Sequence, residues 1–312
     1  MPGMLWRALM SDTVGFVGLG NIGRPMAATL LKKMPGLVVF DLDAGRMDAL
    51  AKAGAIAARS LGEIGSKART ILLSLPTSRE METALLGEGG LAAAAAPGTL
   101  IIDLTSGSPP RSQAIAARLE AMDLRYIDAG VSGGVGPAEA GTLGIMVGGS
   151  DTDVARAMPY LQAIGKTIVH LGEVGAGHLT KSLNNLLLAS NMVAAGEAMA
   201  LAVKSGLDPA KVIAAINGSS GRSWVTEYRF PRFILRGDYS AQGGMAVALL
   251  IKDVAIACET AKSADTTLFI GNQIHQLLMR IGREVGETAP NTSVVRAIED
   301  WAGVKIRAAN DC

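Results

Sequence analysis

The stretch TVGFVGLGNIG, residues 13–23, is a short apolar run that ends in closely spaced glycines. The helical pattern RPMAATLLKKM follows it, and a second apolar run, GLVVFDLD, comes next. Strand, glycine turn, helix and strand in this order form the repeating unit of a parallel β-sheet. This order predicts an α/β fold for the N-terminal part of the chain.

Further apolar runs continue to about residue 175, and several lack the alternation of a strand with one solvated face. Strands of a parallel sheet look like this because helices cover both faces of the sheet. The runs that predict these strands are ARTILLSLP, GTLIIDLTS, RYIDAGVSGG, GTLGIMVGGS and KTIVHLGEVG, with helices at PPRSQAIAARLEAM and MPYLQAIG between them. Residues 12–174 are therefore expected to form a Rossmann-type domain.

After Gly175 the sequence predicts helices only, and the first is a long apolar helix from Gly177 to Ser205. A glycine ends this helix, and Asp208 before Pro209 is a typical start for the next one. The other predicted helices span Pro209–Asn217, Met245–Lys262, Thr266–Glu287 and Ser293–Ala308. Residues 175–312 are therefore expected to form an all-α domain, which the long helix joins to the first domain.

The formal net charge of +1 over 312 residues gives no indication of binding to nucleic acid or to an anionic membrane. Leu186–Val203 approaches the length of a spanning helix, but Asn191 and Glu197 interrupt it, which favours a helix packed within the protein. Cys258, Cys312 and three histidines match no metal-site spacing, so no metal is expected and a reduced, cytoplasmic protein is the simplest interpretation. Residues 1–12 lack a signal-peptide cleavage pattern and are interpreted as an extension before the first strand.

Gly18, Gly20 and Gly23 form the pattern G-x-G-x-x-G between a predicted strand and a predicted helix. These glycines permit a tight turn, a close approach to a pyrophosphate, and close packing of helix on strand. The next strand ends in Asp41, which can accept hydrogen bonds from a ribose hydroxyl and would repel a 2′-phosphate. The pattern predicts a dinucleotide site that favours NAD over NADP, although Arg46 nearby could reach a phosphate. The residues of the turn expected at the cofactor are Gly18, Leu19, Gly20, Asn21, Ile22 and Gly23.

Two loops follow predicted parallel strands, SLPTS at residues 74–78 and DLTSGSP at residues 103–109. Such loops open on the carboxyl edge of the sheet, where ligands bind in open α/β folds. Their free amides and short hydroxyl side chains suit a nucleotide, and ordinary turn chemistry explains the same residues equally well. The candidate cofactor contacts in these loops are Leu75, Pro76, Thr105 and Ser106.

Lys181 and Asn185 are four residues apart near the start of the long helix and share one face of it, with Asn184 about one position away. In a cleft between domains, a partly desolvated lysine would have its pKa lowered toward neutrality and could transfer protons. A neighbouring amide could hold a carboxylate or hydroxyl in place. These residues alone fit an exposed lysine and polar surface asparagines equally well.

Several motifs, which occur in the same order along the chain, resemble those of the β-hydroxyacid dehydrogenase family, the group of 3-hydroxyisobutyrate dehydrogenase-like and tartronate semialdehyde reductase-like enzymes. The motifs are GFVGLGNIGRPMAATLL, DLTSGSPP, DAGVSGGVGPAEAGTLGIMVGG, GAGHLTKSLNN and IKDVAIACE. The chain departs from the family pattern at Ile22, Gly130 and Met245, where the family usually has methionine, proline and phenylalanine.

The resemblance implies an oxidoreductase that interconverts a small β-hydroxy carboxylate and its semialdehyde or ketone, with NAD, or NADP, as cofactor. Lys181 would be the general acid and base, Asn185 would orient the substrate, and Ser132 would take part in the active site. Lys252, next to Asp253, would lie near the nicotinamide. The substrate-binding residues that the resemblance implies are Ser132, Gly133, Gly134 and Asn185.

Other interpretations stay open at this point. An imine reductase has the same architecture but generally lacks a lysine at the position of Lys181, and a 6-phosphogluconate dehydrogenase has a much longer helical domain. A non-catalytic dinucleotide-binding sensor or scaffold would be expected to lose Lys181 or Asn185. The expected partners are a small carboxylate substrate and further copies of the chain, as a homodimer or homotetramer, because the helical half is apolar and carries few charges. The helical half is therefore interpreted as the substrate and oligomerisation domain.

Overall fold

The structure is a computed structural model that describes residues 13–240 and 244–308. It divides into two compact units, and the boundary falls between Lys181 and Ser182. The expected extension at residues 1–12, and Cys312, lie outside the described residues. The two units are described separately below.

The N-terminal unit contains one eight-stranded sheet with the strand order β3-β2-β1-β4-β5-β6-β7-β8. The strands are β1 (Val14–Val17), β2 (Val38–Phe40), β3 (Ile56–Ala57), β4 (Thr70–Leu73), β5 (Leu100–Asp103), β6 (Arg125–Ser132), β7 (Leu143–Gly148) and β8 (Gly165–His170). Neighbouring strands are parallel, as the sequence predicts, except that β7 pairs with β6 in the antiparallel direction. The parallel prediction is wrong for that pair, because the short connection between them returns the chain directly beside β6.

The helices of this unit are α1 (Gly23–Lys33), α2 (Ala44–Lys52), α3 (Leu61–Lys67), α4 (Ser78–Leu86), α5 (Pro109–Glu120), α6 (Val135–Ala140) and α7 (Asp151–Ile164). Helix α7 is longer than the predicted one, since Pro159 lies inside it rather than at its start. Its N-cap is Ser150, whose hydroxyl accepts the Asp153 N–H. Sequence patterns missed α2, α3, α4 and α6, which are short, and β3, whose two residues are exposed.

Buried apolar side chains cover both faces of the sheet. Successive residues of one strand pack into two different hydrophobic clusters, one on each face of the sheet. Phe16 and Leu72 are in the first cluster, and Val17 and Leu73 are in the second. This explains why the central strands read as continuous apolar runs. Their carboxyl ends meet at one edge, where Val17 lies opposite both Phe40 and Leu73. The residues that directly follow these strand ends carry the candidate site.

The C-terminal unit is helical, as predicted. Its elements are the remainder of α8 (Ala176–Lys204), which begins in the N-terminal unit, followed by α9 (Pro209–Asn217), α10 (Val247–Ser263), α11 (Phe269–Val285) and α12 (Ser293–Ala302), with single-turn helical segments between Val225 and Arg236. Helix α12 is shorter than predicted, because Gly303 at φ +63° ends it in the left-handed conformation. Within the described part of this unit, extended pairing is limited to one bridge, Ala246 with Pro290.

Helix α8 is the one helix among the described residues that is long and apolar enough to cross a membrane by length and composition. Of its most apolar window, 44% is buried inside the protein. The core helix of a soluble protein passes the same test, so this property is weak evidence for a membrane span.

Candidate active site

The glycine turn connects β1 to α1 and leaves open space at one of its three glycines. Gly18 has φ +90°, and a Cβ there would lie 2.2 Å from the Ser74 carbonyl oxygen. A Cβ on Gly23 would lie 2.0 Å from the Gly18 carbonyl oxygen, so the turn and the helix are in close contact. Nothing lies within 4 Å of a Cβ built on Gly20. The turn is thus closed where it packs and open at the position expected to approach a pyrophosphate.

The N-terminus of α1 also fits a phosphate. Helix α1 begins after Ile22 without a side-chain cap, whereas Asp43 and Ser60 cap the next two helices. Uncapped backbone N–H groups at a helix start, next to open space, are suited to hold a phosphate. Leu19 is buried, Ile22 is half-buried and Asn21 is exposed at this turn. The residues present therefore fit a dinucleotide.

Asp41 follows the last residue of β2 and is tied to the glycine turn. Its Oδ2 accepts the Leu19 N–H at 2.7 Å, and its Oδ1 accepts the Asp43 N–H at 2.9 Å. The Arg46 guanidinium lies 3.7 Å from Asp41 and 3.3 Å from Asp43. Asp41 thus supports the turn itself, a second role that the sequence pattern does not reveal.

The loops that follow β4 and β5 are hydrogen-bonded to each other. The Leu75 N–H donates to Thr105 Oγ1 at 3.2 Å, and the Ser108 N–H donates to Ser78 Oγ at 2.8 Å. Thr105 is 2% exposed, so its hydroxyl holds the two loops together. Ser106 is half-buried and Pro76 is exposed, so these two remain more accessible candidates for cofactor contact.

Ser132 is the last residue of β6, and the glycines after it turn the chain sharply. Gly133 and Gly134 have φ +137° and φ +82°, a region that side chains rarely adopt. A Cβ on Gly133 would also lie 2.8 Å from Pro137 Cβ. These two residues are exposed and Ser132 is half-buried, so the turn presents a hydroxyl and backbone amides at the carboxyl edge of the sheet.

Lys181 lies in the second turn of α8 and is 7% exposed. Its stem packs against β6, because a Cβ on Gly130 would lie 2.8 Å from Lys181 Cβ and 3.2 Å from Lys181 Cγ. Gly130 is inside β6, paired with Met146, and the absence of a side chain there makes room for Lys181. The burial of Lys181 excludes the alternative of an exposed lysine at a helix end.

In the C-terminal unit, Asn185 belongs to a short chain of polar side chains. Its Nδ2 donates to Asp253 Oδ2, and its Oδ1 accepts from Asn184 Nδ2 at 3.0 Å. Lys252 Nζ lies 3.2 Å from Asp253 Oδ1. Asn185 and Asp253 are each 1% exposed, so the amide of Asn185 is buried and oriented, not polar surface.

Sequence patterns missed a buried polar network in the N-terminal unit. Asp103, the last residue of β5, lies opposite Asp128 inside β6, and the Tyr126 hydroxyl donates to Asp103 at 2.6 Å. Burial raises the pKa of Asp128, and burial followed by the charge of Asp103 raises the pKa of Tyr126. His178, one turn before Lys181, is also fully buried. A carboxylate at the end of an otherwise apolar strand is the signal that could have indicated this network.

Comparison with known proteins is consistent with this geometry. Residues 13–172 match the family described as "NAD binding domain of 6-phosphogluconate dehydrogenase", and residues 175–298 match "NAD-binding of NADP-dependent 3-hydroxyisobutyrate dehydrogenase". The chain is 41% identical over 271 residues to a probable mitochondrial 3-hydroxyisobutyrate dehydrogenase of Dictyostelium discoideum, with 86% of this chain and 84% of the relative covered. The chain belongs to the β-hydroxyacid dehydrogenase family.

Two further comparisons cover nearly the whole chain. A 2-(hydroxymethyl)glutarate dehydrogenase of Eubacterium barkeri is 38% identical over 301 residues, which cover 95% of this chain and 98% of that protein. A solved structure of Mycobacterium tuberculosis 3-hydroxyisobutyrate dehydrogenase with L-serine is 30% identical, with a TM-score of 0.83 and coverage of 92% of this chain and 99% of that one. The family and the fold class predicted from the sequence are confirmed.

As a member of the β-hydroxyacid dehydrogenase family, the protein is an NAD(P)-dependent dehydrogenase that acts on CH–OH groups. Among the described residues, no group of three or more His, Cys, Asp or Glu side chains could hold a metal ion. The roles of individual site residues, and the choice between NAD and NADP, stay predictions.

Proposed function

We propose that this β-hydroxyacid dehydrogenase interconverts a small β-hydroxy carboxylate and its semialdehyde or ketone, with NAD as the preferred cofactor and Lys181 as general acid and base. The observation that carries the proposal is the burial of Lys181 against β6. Its stem contacts Gly130, two residues before Ser132, the last residue of that strand. A lysine side chain is seldom buried, and proton transfer requires a group that is held in position, so the burial of Lys181 supports this role.

The bound nicotinamide supplies or accepts the hydride, and the protein side chains manage the proton. In the oxidation direction, Lys181 Nζ removes the proton of the substrate hydroxyl. In the reduction direction, the Lys181 ammonium stabilises the developing alkoxide and then donates a proton to it. Asn185, held by Asp253, would present a fixed amide to the substrate. Neutral amides next to a lysine can orient the substrate without taking its proton.

The turn at Ser132, Gly133 and Gly134 is proposed to bind the substrate carboxylate. A hydroxyl and two backbone amides are hydrogen-bond donors of the kind that hold a carboxylate. The relatives are named for 3-hydroxyisobutyrate and 2-(hydroxymethyl)glutarate, and both names denote carboxylates. A bulky residue in place of Gly133 should raise KM far more than it changes NAD binding. An uncharged alcohol or aldehyde that is used better than every carboxylate tested would contradict this proposal.

Kinetics of Lys181 variants test the proposed role of the lysine. Lys181→Ala should lower kcat by at least about a hundredfold, because it removes both the acid–base group and a positive charge at the alkoxide. Lys181→Arg should not restore activity, since a guanidinium hardly releases its proton near neutral pH. NADH affinity, measured by fluorescence titration, should change little in either variant.

Lys204→Ala is the matched control for these variants. Lys204 is the exposed last residue of the same helix, so its loss should leave kcat within about twofold of wild type. Circular dichroism would check that every variant is folded. If Lys181→Ala and Lys181→Arg both stay within a few-fold of wild type, Lys181 is not the proton-transfer group.

A substrate panel separates the proposed enzyme from a non-catalytic cofactor sensor. NADH and NADPH oxidation would be followed with small semialdehydes and keto acids, and the reverse reaction with small β-hydroxy acids. Turnover of at least one carboxylate supports the proposal. NADH binding without turnover across the whole panel would favour the sensor.

We also propose that the protein is a homodimer or homotetramer. The C-terminal unit exposes several large apolar side chains, and large exposed apolar patches mark association surfaces. The most exposed of them are Phe269 at 77%, Leu201 at 68%, Ile270 at 64% and Leu187 at 63%. Light scattering at micromolar concentration should give the mass of two or four chains, and a monomer mass would contradict this proposal.

A further inference from the structure

A buried pair, Ser112 and His178, lies beside the proposed catalytic lysine in the N-terminal unit. His178 Nδ1 is 2.8 Å from Ser112 Oγ, and the two residues are 0% and 1% exposed. The Ser112 hydroxyl also donates to the Ser108 carbonyl oxygen at 3.1 Å. Because a hydroxyl has one hydrogen, this geometry favours the tautomer in which His178 Nδ1 carries the proton and donates to Ser112. The pair therefore connects α8 to α5 by a directed hydrogen bond.

The His178 ring also contacts the loop that holds Thr105 and Ser106. A Cβ on Gly107 would lie 2.6 Å from His178 Nδ1 and 2.7 Å from Cε1, so the backbone of this loop packs directly on the imidazole. The same Cβ would lie 3.0 Å from Ser78 Oγ, the acceptor of the Ser108 N–H. The imidazole of His178 thus packs against this loop at Gly107, the residue after Ser106.

The first turn of α8 is fixed from a second direction by Asp128. Its Oδ2 accepts the His178 N–H at 2.6 Å, and its Oδ1 accepts the Gly175 N–H at 2.7 Å. His178 therefore has its backbone bound to β6 and its ring bound to α5 and the loop after β5. Lys181 follows three residues later on the same helix, so its position depends on this turn.

We propose that His178 is a positioning residue that holds the loop around Ser106 and the turn carrying Lys181 in one fixed relation, with Ser112 as its partner. The inference rests on the proposed role of Lys181 for its catalytic half. Its other half, the support of the loop expected at the cofactor, does not need that role. Loss of the hydrogen bond between His178 and Ser112 should then weaken cofactor binding and lower kcat together.

Four variants test the proposal. His178→Leu keeps a similar volume without a ring donor, His178→Gln keeps an N–H donor, and Ser112→Ala removes the acceptor. The double variant His178→Leu with Ser112→Ala tests whether the two residues act as one unit. Thr99→Val is the control, because it removes a buried hydroxyl hydrogen bond of 2.7 Å before β5, at the opposite end of this strand.

His178→Leu should weaken NADH binding and lower kcat by about tenfold each, the usual effect of a buried polar group left without its partner. His178→Gln should recover both quantities to within about threefold. Ser112→Ala should resemble His178→Leu, and the double variant should be no worse than the more affected single variant. Thr99→Val should change stability without changing NADH affinity or kcat.

NADH affinity from fluorescence titration needs no turnover, so it separates this inference from the proposed function. If His178→Leu and Ser112→Ala each weaken NADH binding and the double variant weakens it no further, the pair holds the loop around Ser106, even if Lys181→Ala proves fully active. If His178→Leu and Ser112→Ala lower only the melting temperature, or if His178→Gln is no better than His178→Leu, the pair is ordinary core packing and the proposal is wrong. Should His178→Leu fail to fold, Ser112→Ala alone decides by the same two readouts.

Discussion

Asp41 offers the sharpest test of cofactor preference, provided that the substitution respects its place in the turn. Its carboxylate accepts the N–H groups of Leu19 and Asp43, and its side chain is only 10% exposed. Asp41→Ala would leave the N–H of the buried Leu19 without its acceptor, which costs about 1–3 kcal/mol and should impair binding of both cofactors. Asp41→Asn removes the charge and keeps an oxygen to accept the buried Leu19 N–H, and only the exposed Asp43 N–H loses its acceptor, so the main effect is electrostatic.

The expected magnitude follows from the two charges involved. A hydrogen bond from a ribose hydroxyl to a carboxylate is about 1.4 kcal/mol stronger than one to a neutral amide, so Asp41→Asn should weaken NADH binding about tenfold. Repulsion between Asp41 and a phosphate charge about 5 Å away is about 3 kcal/mol per unit charge at an effective dielectric of 20. Solvent and the nearby Arg46 reduce this value by about half, which leaves roughly a tenfold gain for NADPH. The ratio of the two affinities should therefore change by about a hundredfold.

Fluorescence titration with NADH and NADPH measures both affinities without a known substrate. Wild type should prefer NADH, Asp41→Asn should lose most of this preference, and Asp41→Ala should bind both cofactors poorly. The measurement can be repeated as kcat/KM once a substrate is known. A wild type that prefers NADPH, or an Asp41→Asn variant that weakens both cofactors equally, would refute the reasoning.

Three further predictions concern the site and the stability of the fold. Gly130→Ala would place a Cβ 2.8 Å from Lys181 Cβ, so kcat should fall about tenfold as the lysine shifts; an unchanged kcat would contradict this contact. Arg307→Ala leaves Glu299, which is 0% exposed, as a buried charge without its ion-pair partner, so urea titration should show a loss of about 3 kcal/mol in unfolding free energy. Burial raises the pKa of Asp128, so the folded state favours the protonated form, and stability relative to Asp128→Asn should decrease as pH rises above about 4. Urea titrations of wild type and Asp128→Asn between about pH 4 and pH 7 measure both unfolding free energies. If the stability of wild type relative to the variant increases with pH, the prediction is wrong.

The sequence by itself was sufficient to predict the alternation of strands and helices, the helical second half of the chain and the protein family. These properties are local or periodic: an apolar run bounded by glycine, or a helix start at Asp208 and Pro209, can be read within about ten residues. The bounds of α9 are Pro209–Asn217, as predicted. The direction of β7 was not accessible in this way, because the pairing of one strand with another depends on the path of the connection and not on the strand's own pattern.

The tertiary structure decided where the site residues lie and what they contact. The sequence left Lys181 equally compatible with an exposed helix end and with a buried group, and only the packing of α8 against Gly130 in β6 settles its burial. Asp41 supports the Leu19 N–H, and Ser112 meets His178 from a helix 66 residues away in the chain. Such contacts join residues far apart in sequence, and no periodic pattern encodes them. Their positions follow from how helices pack on the sheet, which is a property of the whole fold.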